Sequence, residues 1–129
     1  MATFEDVDRL ARALPEVTVG ERFHNRTWMV AGKGFVWERP YSKADLRRFG
    51  DRTPPSGPIL GVRTADLEEK EIVLHSGQAG VFTIEHFDGW PAVLVQLDVV
   101  ASDTLRDLLT DAWLAMAPQA LATRFLRPE

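Results

Sequence analysis

The chain has 129 residues, of which 45% are hydrophobic and 26% charged, with a formal net charge of -4. That composition excludes wholesale disorder and a fibrous class, and the charge excludes a global field drawing the molecule onto DNA, RNA or an anionic membrane. Cysteine is absent, which excludes a disulfide framework, a thiolate zinc site and a cysteine nucleophile.

From Thr3 the sequence predicts a helix, with Phe4, Val7, Leu10, Ala11 and Leu14 on one face, Glu5, Asp6 and Asp8 near its start, and Pro15 closing it. Val17-Thr18-Val19, Arg26 to Val30 and Phe35-Val36-Trp37 are rich in strand formers, and Gly32-Lys33-Gly34 suits the turn between the last two. Ser42 caps a short helix through Phe49 that Gly50 ends, and Pro54, Pro55, Ser56, Gly57 and Pro58 enforce a loop. Ile59 to Arg63 reads as a strand, and Ala65 to Leu74 as a helix that Gly77 terminates.

Val81 to Leu97 reads as two strands joined by a turn at Asp88-Gly89, a hairpin carrying His86, Asp88 and Trp90. Behind Ser102 and Asp103 as candidate caps, Leu105, Leu108, Leu109, Ala112, Trp113 and Met116 recur at helical spacing, and Pro118 opens a further short helix with Leu121 and Phe125 inward. This order argues an α+β fold, a single domain over residues 1–129 with a mainly antiparallel sheet and helices packed on one side. The N-terminus lacks a basic and apolar leader, and no apolar run approaches the ~20 residues of a membrane span. A cytoplasmic protein without membrane association is the expectation.

Three histidines, His24, His75 and His86, show no metal-ligand spacing, so neither a metal nor another cofactor is expected. His75-Ser76 has no GxSxG elbow around it, and Gly32-Lys33-Gly34 lacks the GxxxxGK[ST] pattern of a phosphate loop. His86 beside Asp88 has the chemistry of a general base. A local turn role for His86 and Asp88 accounts for the same residues more simply, so no catalytic residue is assigned and an enzyme is not expected. Trp28, Trp37 and Trp113 have core spacing, and Trp90 is the tryptophan expected to be exposed.

The basic residues Arg39, Lys43, Arg47, Arg48 and Arg52 stand against Asp45 and Asp51 within fourteen residues of an acidic protein. With Arg26 and Lys33 nearby, they suit phosphate contacts, and Trp28, Trp37 or Tyr41 suit base stacking where exposed. A solvated helix face is the competing reading.

Three segments carry a family resemblance: Ala13-Leu14-Pro15-Glu16-Val17, Phe82 to Pro91, and Asp111 to Pro118. On these the chain resembles the MmcQ/YjbR family of small bacterial proteins. The resemblance implies a frataxin-like α+β architecture with N- and C-terminal helices on one face of an antiparallel sheet. It also implies DNA binding through a double-winged arrangement. DNA is therefore the expected partner, with Arg39, Lys43, Arg47, Arg48 and Arg52 on phosphates and the His86, Asp88 and Trp90 turn as a wing. The alternative is a small-molecule or protein-interaction module using a site near that turn, favoured if the arginines scatter rather than converge.

Overall fold

A computed structural model describes residues 1–127. Thr3 caps α1 (Phe4–Arg12): its hydroxyl accepts from the Asp6 backbone N–H, while the Asp6 carboxylate accepts from that of Thr3. Two ion pairs, Asp6 with Arg9 at 2.8 Å and Asp8 with Arg12 at 2.7 Å, engage both aspartates of this helix.

Strands β1 (Val17–Arg22), β2 (Asn25–Val30) and β3 (Lys33–Glu38) form an antiparallel meander. The β2–β3 turn is Ala31-Gly32, both left-handed, beginning one residue before the Gly32-Lys33-Gly34 turn that the sequence suggests, so Lys33 and Gly34 belong to β3. A bulge in this pair sets Trp28 opposite Val36 and Met29 opposite Gly34, leaving Phe35 as the extra residue. Phe35 and Val36 are consequently both fully buried in the same core, although strict alternation would separate them.

Ser42 and Asp45 make a second capping box at α2 (Lys43–Phe49), which Gly50 ends with a positive φ of 59°. The chain then enters β4 (Ile59–Arg63), α3 (Leu67–Leu74) and a two-residue strand β5 (Val81–Phe82). A 3₁₀ turn (Glu85–Phe87) leads to β6 (Ala92–Gln96). The predicted hairpin is thus an antiparallel pair, Val81 with Val95 and Phe82 with Leu94, closed by a longer irregular connection rather than a tight turn. Helix α4 (Ser102–Met116) starts after Ala101, so Ser102 and Asp103 occupy its first turn instead of capping it, and α5 (Gln119–Leu126) follows Pro118.

The six strands run β1-β2-β3-β4-β6-β5, every neighbour antiparallel, which makes the fold α+β as the order of elements implies. On one face, Trp28, Val30, Val36, Leu60, Val62, Val93 and Val95 pack against Val7 and Ala11 of α1 and Leu105, Leu109, Ala112 and Trp113 of α4. The two buried indoles are also polar ties: Trp28 Nε1 donates to Asp8 at 2.9 Å and Trp113 Nε1 to the Pro15 carbonyl at 3.0 Å. On the opposite face a smaller cluster gathers Ile59, Ile84, Phe87, Ala92 and Leu94, flanked by Trp37, Tyr41, Phe49 and Phe82. That second cluster covers only part of the sheet. No helix among the described residues is long and apolar enough to cross a membrane.

Candidate functional site

Strand alternation places Thr27, Trp37, Gly61 and Arg63 on the partly covered face, where Trp37 pairs with Thr27 on one side and Gly61 on the other. Gly61 makes room for the Trp37 indole: a Cβ built there would lie 2.4 Å from its ring atoms. The half-buried indole is thus the floor of a groove of about 600 Å³.

One wall is formed by His86, Phe87 and Trp90. Phe87 is 2% exposed and Trp90 44% exposed, and their ring centroids lie 6.5 and 5.9 Å from that of Trp37. Gly89, with a φ of 76°, turns the chain between them. Lys70 of α3 holds this wall in place from behind: its buried Nζ donates to the Phe87 carbonyl at 2.6 Å and the Trp90 carbonyl at 2.8 Å. Burial pushes the Lys70 ammonium below its ordinary pKa, and Asp88 and Glu71 offset part of that effect.

The opposite wall is the β1–β2 hairpin with Arg22, Phe23 and Asn25. Arg22 Nη2 donates to the Gly32 carbonyl at 2.6 Å, joining this hairpin to the β2–β3 turn.

Arg22, Lys33, Arg39 and Arg63 line the groove together with His86, and among the described residues no carboxylate does. Arg39 is committed elsewhere, paired with the buried Asp45 at 2.9 Å. Among the described residues Arg22, Lys33 and Arg63 have no carboxylate within 4.0 Å. Arg63 lies over the Trp90 ring at 5.6 Å and Arg39 over Phe87 at 5.4 Å, so flat aromatic faces and guanidinium planes alternate along one side. Such a surface holds an anion by charge and a planar group by stacking.

Residues 12–115 match the YjbR family, a span that includes all six strands and therefore the whole sheet under the groove. The chain belongs to this family. It is similar to the uncharacterized protein Mb2600 of Mycobacterium bovis and the uncharacterized protein Rv2570 of Mycobacterium tuberculosis. Each is 45% identical over 130 residues, covering 98% of this chain and 97% of the relative. No solved structure matches the chain significantly.

Within this YjbR-family protein the five basic residues around α2 divide. Arg39 faces the groove. Arg48 reaches Asp45 at 3.8 Å and Glu85 at 3.9 Å, while Arg52 donates to the carbonyls of Phe49 and Arg48 and lies over the Phe49 ring at 5.3 Å. Both arginines border a second, mixed-charge depression with Asp45, Glu85 and Asp88. Lys43 and Arg47 are exposed on α2, outside both depressions.

His86 and Trp90 join the groove and Asp88 faces the other depression, so the two candidate members of a base and acid pair are directed to different sites. Arg26 is removed from the groove altogether: it pairs with Glu38 at 2.6 Å and stacks on Trp28 at 4.8 Å on the α1 side. Arg22, Arg63 and Lys70 were not singled out by sequence reasoning. Their spacing carries no signal, because pairing across the sheet and docking of α3 bring them to one site. Among the described residues no three His, Asp or Glu side chains gather as a metal-holding group.

Proposed function

We propose that this protein is a non-enzymatic nucleic-acid-binding module, with DNA as the ligand class, and that it binds through the groove rather than along α2. The observation that carries this reading is the charge segregation: in a protein of net charge -4, the described residues lining one groove include four cationic side chains and no carboxylate. Arg22, Lys33 and Arg63 supply the phosphate contacts, and Trp37 and Trp90 supply aromatic faces for bases. Arg39, paired with Asp45, supports Phe87 and adds little free charge.

The reading yields a salt dependence. Three phosphates neutralised on one strand correspond to a slope of log affinity against log salt of about -2, from roughly 0.7 per contact. A fluorescence-anisotropy titration of a labelled oligodeoxynucleotide across salt concentrations measures it. Loss of binding on replacing Arg22, Lys33 and Arg63 with glutamine supports the groove, whereas loss on replacing Lys43 and Arg47 instead would move the interface to α2. No binding at low salt removes the reading.

A second reading is favoured by the groove's volume of about 600 Å³, which falls among sites for small molecules, and by the division of the basic residues around α2, of which Arg39 alone lines the groove. It assigns the same cations and rings to a small anionic aromatic compound.

A further inference from the structure

The β1–β2 hairpin ends in a two-residue turn, Phe23-His24, with φ values of 53° and 67°. Both central residues are left-handed, the geometry that two-residue hairpins normally fill with Asn-Gly because side chains with a Cβ are disfavoured there. Within the protein this turn gains little that explains it: the Asn25 side-chain amide donates to the Phe23 carbonyl at 3.1 Å, and the Phe23 side chain stands 92% exposed. A strained backbone and an exposed phenyl ring thus coincide at the rim of the groove, with Arg22 on the preceding residue and Lys33 on the same lining.

We propose that the groove's ligand is a single nucleic-acid strand, and that Phe23 stacks on one of its unpaired bases while Arg22, Lys33 and Arg63 hold the flanking phosphates. This inference rests on the nucleic-acid reading above and adds to it a discrimination between single strand and duplex. In a duplex the base faces are occupied by one another, so its backbone can meet the cations while Phe23, Trp37 and Trp90 find no face to cover. In a single strand every base has an available π-face, and stacking on protein aromatics adds to phosphate binding without regard to sequence. A two-residue turn gives the ring a short rigid support, so little freedom is lost when a base docks.

The test uses the full chain and a short oligodeoxynucleotide carrying the fluorescent base 2-aminopurine, offered as a single strand and as the duplex of the same sequence. The single strand is expected to bind about tenfold or more tighter than the duplex, with 2-aminopurine quenched on binding. Phe23→Ala should weaken single-strand binding by roughly five- to a hundredfold and abolish the quenching at the stacked position, whereas Phe23→Trp should keep both. Circular dichroism should show both variants folded, since the ring is solvent-exposed. Equal affinity for duplex and single strand, or unchanged binding by Phe23→Ala, overturns the stacking inference and leaves the groove reading standing. Competition by a mononucleotide as strong as by the strand also overturns it, in favour of a free nucleotide as ligand. Absence of binding to either form at low salt overturns the groove reading and the inference together.

Discussion

Asp45 is 2% exposed and holds three neighbours at once: the Ser42 backbone N–H at 2.9 Å, Arg39 at 2.9 Å and, more distantly, Arg48 at 3.8 Å. Burial pushes its carboxyl upward, but the Ser42 and Arg39 hydrogen bonds outweigh that and leave it below its ordinary value of 3.8. A depressed folded-state pKa contributes stability that is complete above the unfolded value and is lost as pH falls through the folded one. Asp45→Asn should therefore lower stability at neutral pH by about 2–4 kcal/mol, because it leaves Arg39 poorly compensated. It should also flatten the fall in stability below about pH 4, both readable from urea denaturation at a series of pH values.

Lys70 has the opposite sign. Its depressed pKa means that the unfolded chain binds more protons between the folded value and the ordinary 10.5, so stability rises with pH in that window. Lys70→Met keeps the aliphatic stem and removes that alkaline rise. At neutral pH it should cost about 1–2 kcal/mol. That is less than two charged hydrogen bonds would suggest, because the Phe87 and Trp90 carbonyls keep the backbone donors of Trp90 and Ala92 and a buried charge is relieved. Chemical denaturation across the alkaline range checks both parts. Neither role was legible in the sequence: Asp45 read as a counter-charge within a basic run and Lys70 as one residue of a helix, because their partners are set by tertiary docking.

At the scale of elements, glycine controls the floor of the groove. Gly61→Ala would set a methyl group against the Trp37 ring, so the indole must tilt out of its seat. The expected cost is about 1–3 kcal/mol in stability from overpacking, with weakened oligonucleotide binding, and calorimetry together with anisotropy separates the two effects.

Elements with strong local chemistry were legible: Ser42 and Gly50 bound α2 as their capping preferences dictate, and the apolar spacing of Leu105 to Met116 marks α4. Features that defy local preference were not. Ala31 and the pair Phe23-His24 take left-handed conformations that glycine would normally fill, which displaced one turn and hid the other. The bulge at Phe35 leaves no sequence mark because two core aliphatic or aromatic neighbours read equally well as continuous strand.

For the whole molecule, the α+β class and the YjbR family were legible because terminal helices, strand formers and the Phe82 to Pro91 segment occur in the expected order. The groove was only half legible. Trp90 and His86 were recognisable as displayed on a turn, whereas Arg22, Lys33 and Arg63 lie on three different strands and converge through sheet pairing alone.

The four tryptophans offer a direct test of where a ligand binds, since Trp37 and Trp90 line the groove while Trp28 and Trp113 are fully buried against α1, α4 and the sheet. In a ¹⁵N–¹H correlation spectrum titrated with a single-stranded oligodeoxynucleotide, the indole resonances of Trp37 and Trp90 should shift, along with the backbone amides of Phe23 and Arg63, while those of Trp28 and Trp113 stay in place. Shifts confined to α2 around Lys43 and Arg47, with the Trp37 and Trp90 indoles unmoved, would contradict the groove as the binding site.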